Sequence, residues 1–196
     1  MNRYLGAPII KTERLYCRLV DLCDVKDMYE ICSNQEVTKY LTFEPHTNYR
    51  HTKRVITNMI RSYLDDVSIN YVLILNENKK VIGSMSVTFL NNNVGEIGYL
   101  MNKSYWNKGY MSEAIKALIN VCFEYYHLNL LIVRYISQNK NSEKLIEKMG
   151  FKFDYINYSS INKNGILYDV ISNSLSKYDY ENQKKYFWFF YCIYCK

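Results

Sequence analysis

Two periods of hydrophobic positions take turns along this chain. In RLYCRLV, Arg14 to Val20, Leu15, Cys17 and Leu19 alternate with Tyr16, Arg18 and Val20, the two-residue period of a strand. The next stretch, DLCDVKDMYEIC, puts Val25, Met28, Tyr29 and Cys32 on one helical face, with Asp21 or Asp24 able to cap its start. A second helix is predicted over Asn48 to Asp66, with Val55, Ile56, Met59, Ile60, Tyr63 and Leu64 inward. Three strands follow. INYVLIL (Ile69–Leu75) is apolar almost throughout. VIGSMSVTFL (Val81–Leu90) alternates with serine and threonine on a wetter face, and VGEIGYLM (Val94–Met101) comes after the turn NNN. The period returns to helical from about Gly109 to Tyr126, with Tyr110, Ala114, Ala117, Leu118, Val121, Cys122 and Tyr125 as the apolar stripe. LLIVRYI (Leu130–Ile136) reads as a strand covered on both faces. Asn139 or Asn141 caps a short helix to Met149, which Gly150 stops. FKFDYINY and GILYDVISNSL close as a hairpin around NKNG.

The predicted order is β-α-α-β-β-β-α-β-α-β-β. That is an α/β domain on one mixed, mostly antiparallel sheet, with helices on both faces and a right-handed parallel unit across the long central helix. One domain over residues 1–176 is expected, with residues 177–196 as an aromatic extension. Its end, YFWFFYCIYCK, has an apolar run far short of the ~20 residues that span a bilayer. Three placements stay open for it: docking on the domain, pairing with a second copy as a homodimer, or lying in a membrane interface.

Composition changes this picture little. The net charge of +6 suits an anionic ligand but also scattered surface lysine. Six cysteines, Cys17, Cys23, Cys32, Cys122, Cys192 and Cys195, form no dense framework, and the N-terminus has no uninterrupted apolar stretch. A reduced, cytoplasmic protein is expected.

The chemistry concentrates at EIGYLMNKSYWNKGYMSEAIKAL, Glu96 to Leu118. Gly109 opens a helix just after a strand. The first turn of a helix offers unpaired N–H groups and the positive end of the dipole, and glycine lets a ligand approach the backbone. Beside Lys108 this makes an anion site suited to phosphate. Neither G-x-x-x-x-G-K-[ST] nor G-x-G-x-x-G is present, so neither a Walker loop nor a dinucleotide fingerprint supplies it.

Over roughly Ile10 to Ser174 the pattern resembles the GNAT N-acetyltransferases, especially the branch of ribosomal-protein N-terminal acetyltransferases. GEIGYLM, YWNKGYMSEA and NKNSEKLIEKMGF carry the resemblance. It implies a splay between the GYLM strand and LIVRYIS that takes the pantetheine arm of acetyl-CoA. Backbone groups of Tyr99, Leu100 and Met101 would bond that arm. WNKGYM would be the pyrophosphate loop, with Trp106, Asn107, Lys108, Gly109, Tyr110, Met111 and Ser112 as cofactor-binding residues. Trp106 stands where the family has Gln or Arg. Met111 stands where it has Gly or Ala, and its bulk would narrow the loop. Asn139 matches an asparagine near the pantetheine, and Ser142 a serine close to the leaving thiolate.

The implied reaction is attack of a neutral amine on a thioester, with a base for the amine, a donor for the sulfur and an N–H from Leu100 or Met101 for the oxygen. Glu96 is the candidate base, being the carboxylate inside its strand. Ser142 is the candidate donor, and Tyr168 a further one. The acceptor is expected between Tyr40–Thr52 and the hairpin near Ile161–Tyr168, where Phe43, Glu44, His46 and His51 would line it. Zinc at Cys192-x-x-Cys195 lacks a second pair of ligands, and KMGFKFDY echoes an RNA-binding strand without its partner strand. The expectation is therefore acetyl transfer from acetyl-CoA to a primary amine, small molecule or protein N-terminus, with no metal and no direct nucleic-acid contact. The alternative is an acyl-CoA-binding or interaction protein on the same fold that does not catalyse.

Overall fold

The computed structural model describes residues 7–90 and 93–184. Eight strands form one sheet in the order β1-β2-β3-β4-β5-β6-β8-β7. They are β1 (Ile10–Lys11), β2 (Leu15–Leu19), β3 (Ser68–Leu75), β4 (Val81–Leu90), β5 (Val94–Met101), β6 (Leu130–Ile136), β7 (Lys152–Lys163) and β8 (Ile166–Ser176). Every neighbouring pair is antiparallel except β5 and β6, which run parallel. The helices are α1 (Val25–Cys32), α2 (Gln35–Thr38), α3 (Tyr49–Leu64), α4 (Tyr110–Asn120), α5 (Lys140–Lys148) and α6, residues 177–184. A π-helical turn, Val121–Tyr125, extends α4.

Local chemistry sets the helix ends. Asp21 and Asp24 form a reciprocal capping box ahead of α1, and Arg18 clamps the buried Asp24 carboxylate at 2.7 and 2.8 Å. The Asn48 side chain accepts from the His51 amide at 2.9 Å, and the Asn139 side chain from the Ser142 amide at 3.2 Å. Gly150, at φ +82, ends α5 with its amide on the Glu147 carbonyl.

Sheet alternation sorts the layers. Tyr99 and Met101 share the face covered by α4 and α5, while Leu100 points with α1 and α3 to the other. The core runs through both layers and includes Leu15, Tyr71, Leu73, Met85, Ile97, Leu118 and Phe123. On α4 the buried set is Ala114, Ile115, Leu118 and Ile119, followed by Cys122 and Phe123 in the π turn. Of the predicted stripe Ala114, Leu118 and Cys122 are buried as expected, whereas Tyr110, Ala117 and Val121 only flank the core and Tyr125 is exposed. Residues 177–184 pack back on the domain. Tyr180 stacks on Phe123 at 4.7 Å and donates to Asn120 Oδ1 at 2.5 Å. The predicted aromatic run from Tyr186 to Cys195 lies outside the described residues.

Candidate active site

Parallel pairing of β5 with β6 covers only Val94, Gly95 and Glu96, against Leu130, Leu131 and Ile132. Beyond Glu96 the strands part, and β6 continues against β8 alone. The edge of β5 is thereby left open along Ile97 to Met101. The Asn102 amide donates to the Ile82 carbonyl at 2.8 Å, so the even residues of β5 direct their amides toward β4. By alternation the backbone groups of Tyr99 and Met101 face the gap. Of the two expected oxyanion donors, Leu100 and Met101, only the Met101 amide is aimed there.

The loop after β5 is tied down from both sides. Trp106 Nε1 donates to the Met101 carbonyl at 2.8 Å, so the indole anchors the loop instead of reaching for an anion. Asn107 at φ 58 and Gly109 at φ +81 turn the chain into α4. Arg14 braces this turn from β2's entrance. Its Nη1 donates to the Lys108 carbonyl at 2.9 Å, its Nε binds Glu113 Oε2 at 2.7 Å, and its guanidinium lies over the Tyr110 ring at 4.4 Å. A Cβ on Gly109 would meet Arg14 Nη2 at 3.3 Å. Met111 is half-buried and packs against the core as well as lining the gap.

These elements surround a cavity of about 580 Å³. Tyr99, Leu100, Met101, Trp106, Asn107, Gly109, Tyr110, Met111, Ser112, Asn139 and Ser142 all line it. Of the expected cofactor-binding residues Lys108 does not; its ammonium lies 5.5 Å from the Tyr105 ring. Lys39, Lys140, Lys144 and Lys148 bring positive charge to the cavity. The Tyr99 hydroxyl is buried beside Ser142 without a hydrogen-bond partner, and burial pushes its pKa up to about 12. An unpaired strand edge, a helix start opened by glycine and an orphaned hydroxyl all fit a ligand with an amide-bearing arm and phosphates, as coenzyme A has.

A second cavity, of about 310 Å³, lies on the other face between α1, α3 and Leu100. Phe43, Glu44, His46 and His51 line it, with Met28, Cys32, Val55, Ile56 and Met59 beneath. Leu100 is common to both cavities. The entry segment is fastened by Lys163, whose ammonium donates to the carbonyls of Thr38, Leu41 and Phe43 at 2.7, 3.1 and 3.1 Å. Glu96 and Tyr168 line neither cavity. Glu96 binds Arg134 at 3.1 Å where the gap closes, and Tyr168 sits half-buried in β8 opposite Ile161. Among the described residues no cluster of His, Cys, Asp or Glu could hold a metal ion.

Sequence reasoning missed Arg14, the anchoring role of the Trp106 indole, the orphaned Tyr99 hydroxyl and Lys163. Arg14 and Glu113 are separated by 99 positions, and Lys163 and Thr38 by 125, so no local pattern links them.

A profile of the acetyltransferase (GNAT) domain matches residues 14–152. The chain belongs to the GNAT acetyltransferase family. An uncharacterized N-acetyltransferase of Bacillus licheniformis, p20, is 30% identical over 86% of this chain and 96% of its own length. A GNAT-family acetyltransferase from Bacillus anthracis superposes with a TM-score of 0.78, at 24% identity, over 86% of this chain and 98% of that one. RimL, a ribosomal L7/L12 alpha-N-protein acetyltransferase solved with coenzyme A, gives a TM-score of 0.79 at 18% identity, over 86% and 98%. These two structures share the fold of this chain. The expected GNAT resemblance and the mixed sheet with helices on both faces are both borne out. No helix among the described residues is long and apolar enough to cross a membrane.

Proposed function

We propose that this GNAT acetyltransferase moves an acetyl group from acetyl-CoA to a primary amine by direct attack within a ternary complex. The observation that carries this reading is the meeting of two cavities at Leu100, one built for a phosphate-bearing arm and one for a small acceptor. The α4 amides from Tyr110 to Ser112 hold the pyrophosphate, and the lysines from α5 meet the outer phosphates. Tyr99 and Met101 hold the arm along the open edge of β5, in the manner of an added strand. The Met101 amide stabilises the oxygen that gains charge during attack. Ser142 supplies a proton to the departing sulfur, with the neutral Tyr99 hydroxyl beside it. Acetyl-CoA brings the activated acyl group; the protein contributes position, an oxyanion donor and proton management.

Thermal unfolding with and without acetyl-CoA tests the reading, with ATP and NADH as controls. A ligand at about 100 times its Kd adds about 2.7 kcal/mol. Stabilisation by acetyl-CoA alone is expected, and it is lost in Gly109→Asp, which puts a side chain and a negative charge where phosphate belongs. No stabilisation of the wild type overturns the reading. Stabilisation with no acetylated amine favours the acyl-CoA-binding alternative.

A further inference from the structure

The 310 Å³ cavity contains one buried ionisable ring. His46 is 6% exposed, and its Nδ1 lies 2.9 Å from Thr52 Oγ1. Its backbone amide is fixed on the Cys32 carbonyl at 3.0 Å. The ring stacks on His51 at 4.4 Å and packs against Phe43 at 5.5 Å. Thr52 occupies one nitrogen, which leaves Nε2 for another partner. Beneath these polar groups the lining is apolar: Val55, Ile56 and Leu100 carry no side-chain hydrogen-bonding atom, and Met28, Met59 and Cys32 only weakly polar sulfur. The cavity is at the lower end of the ~300–1,000 Å³ range of small-molecule sites. Exposed Glu44 at the same cavity, held only loosely by Lys163 Nζ at 4.0 Å and Asn164 Nδ2 at 3.4 Å, would draw in a cation.

We infer that the acceptor is a small primary amine carried on an apolar group, bound in this cavity, and that His46 takes its proton. The inference rests on the acetyl-transfer reading and deepens it. Glu96 is four residues from Leu100 along β5, about 13 Å of strand, and is already paired with Arg134. His46 shares the cavity with Leu100 itself. The ammonium form R–NH3+ gives one proton to His46 Nε2. The freed nitrogen lone pair attacks the acetyl carbonyl carbon, the N–C bond forms and the C–S bond breaks. Ser142 gives its proton to the departing sulfur and is reprotonated by the second nitrogen proton, and His46 returns its own proton to water. The titratable groups facing His46 are His51 and Glu44 in the cavity wall and Cys32 on α1, with Lys163 held at the Phe43 carbonyl nearby. Burial, and next the neighbouring His51, lower the His46 pKa, so the imidazole is neutral and ready to accept at neutral pH.

The test measures coenzyme A thiol release at saturating acetyl-CoA from about pH 5 to 9. The probes are 2-phenylethylamine, spermidine and a serine-initiated peptide. The wild type is expected to favour 2-phenylethylamine, and kcat to rise with pH to a plateau through an inflection at or below the ordinary histidine value of about 6.5. His46→Gln should lose that limb and at least about 100-fold in kcat, with acetyl-CoA stabilisation intact. Thr52→Val should move the inflection, and Met59→Trp should raise KM for 2-phenylethylamine; these two variants decide the matter if His46→Gln does not fold. Preference for spermidine or the peptide overturns the acceptor class. A His46→Gln enzyme within about threefold of wild type, or loss of the limb in Glu96→Gln instead, overturns the base. A wild type that binds acetyl-CoA yet acetylates none of the probes overturns the inference while the cofactor reading stands. Absence of acetyl-CoA binding is instead the failure of that earlier reading.

Discussion

Gly109 shows how one residue shapes this site. Its φ of +81 lies where a side chain is strained, and Arg14 leaves no slack beyond it. Gly109→Ala should cost about 1 kcal/mol by chemical denaturation and weaken acetyl-CoA binding by displacing the loop. Arg14→Ala removes the brace without touching the loop's own sequence. We expect Kd for acetyl-CoA, read by calorimetry, to rise roughly tenfold, the scale of one lost charge-assisted contact. His46 carries a pH signature of its own. Its folded pKa is depressed by burial and by His51, so the unfolded chain binds that proton more readily. The stability it contributes is present above about pH 6.5 and is lost as pH falls through the folded value. Denaturation midpoints should therefore decline on acidification, less steeply in His46→Gln. Gly109 was legible because a glycine between a strand and a helix is a local signal. Arg14 was not, because its role exists only once β2 and α4 are neighbours.

The decisive element is β5. Its span, Val94–Met101, was readable from alternation, and so were β4 and β6. The point where it leaves β6 was not, since no residue of β5 announces that pairing stops at Glu96. Trp106 helps to keep the gap open by holding the loop on the Met101 carbonyl. Trp106→Phe keeps the ring and deletes that bond. It should cost about 1 kcal/mol of stability and raise KM for acetyl-CoA more than it lowers kcat, which steady-state kinetics would resolve. The stripe of α4 was placed only in part, for a related reason: Ala114, Leu118 and Cys122 were read correctly, and its flanks were not. Periodicity places a face only to within a residue or so, and aromatic Tyr110 and Tyr125 looked as suitable for the core as Ile115 and Ile119. The docking of α6 through Tyr180 had no local signal, because Tyr180 finds its place only against Phe123 and Asn120, about 60 positions earlier.

For the whole molecule, the two cavities reach Leu100 from opposite faces of the sheet. On the proposed function both substrates would be bound together, and the acetyl group would have no need to rest on the protein. A double displacement would require a nucleophile at the junction, and cysteine is the natural choice. Among the described residues, buried Cys17 and Cys122 and exposed Cys23 lie outside both linings. Cys32 lines the smaller cavity, but burial pushes its pKa up to about 12. At neutral pH only about one thiol in 10⁵ would be ionised, and the thiolate is the reactive form. Initial rates measured over a grid of acetyl-CoA and amine concentrations should therefore give intersecting reciprocal lines. Mass spectrometry of enzyme mixed with acetyl-CoA alone should find no acetyl adduct on Cys32. Parallel lines, together with an adduct that disappears in Cys32→Ser, would mean that the acetyl group crosses the sheet on the protein and that the shared wall at Leu100 is a relay, not a meeting point.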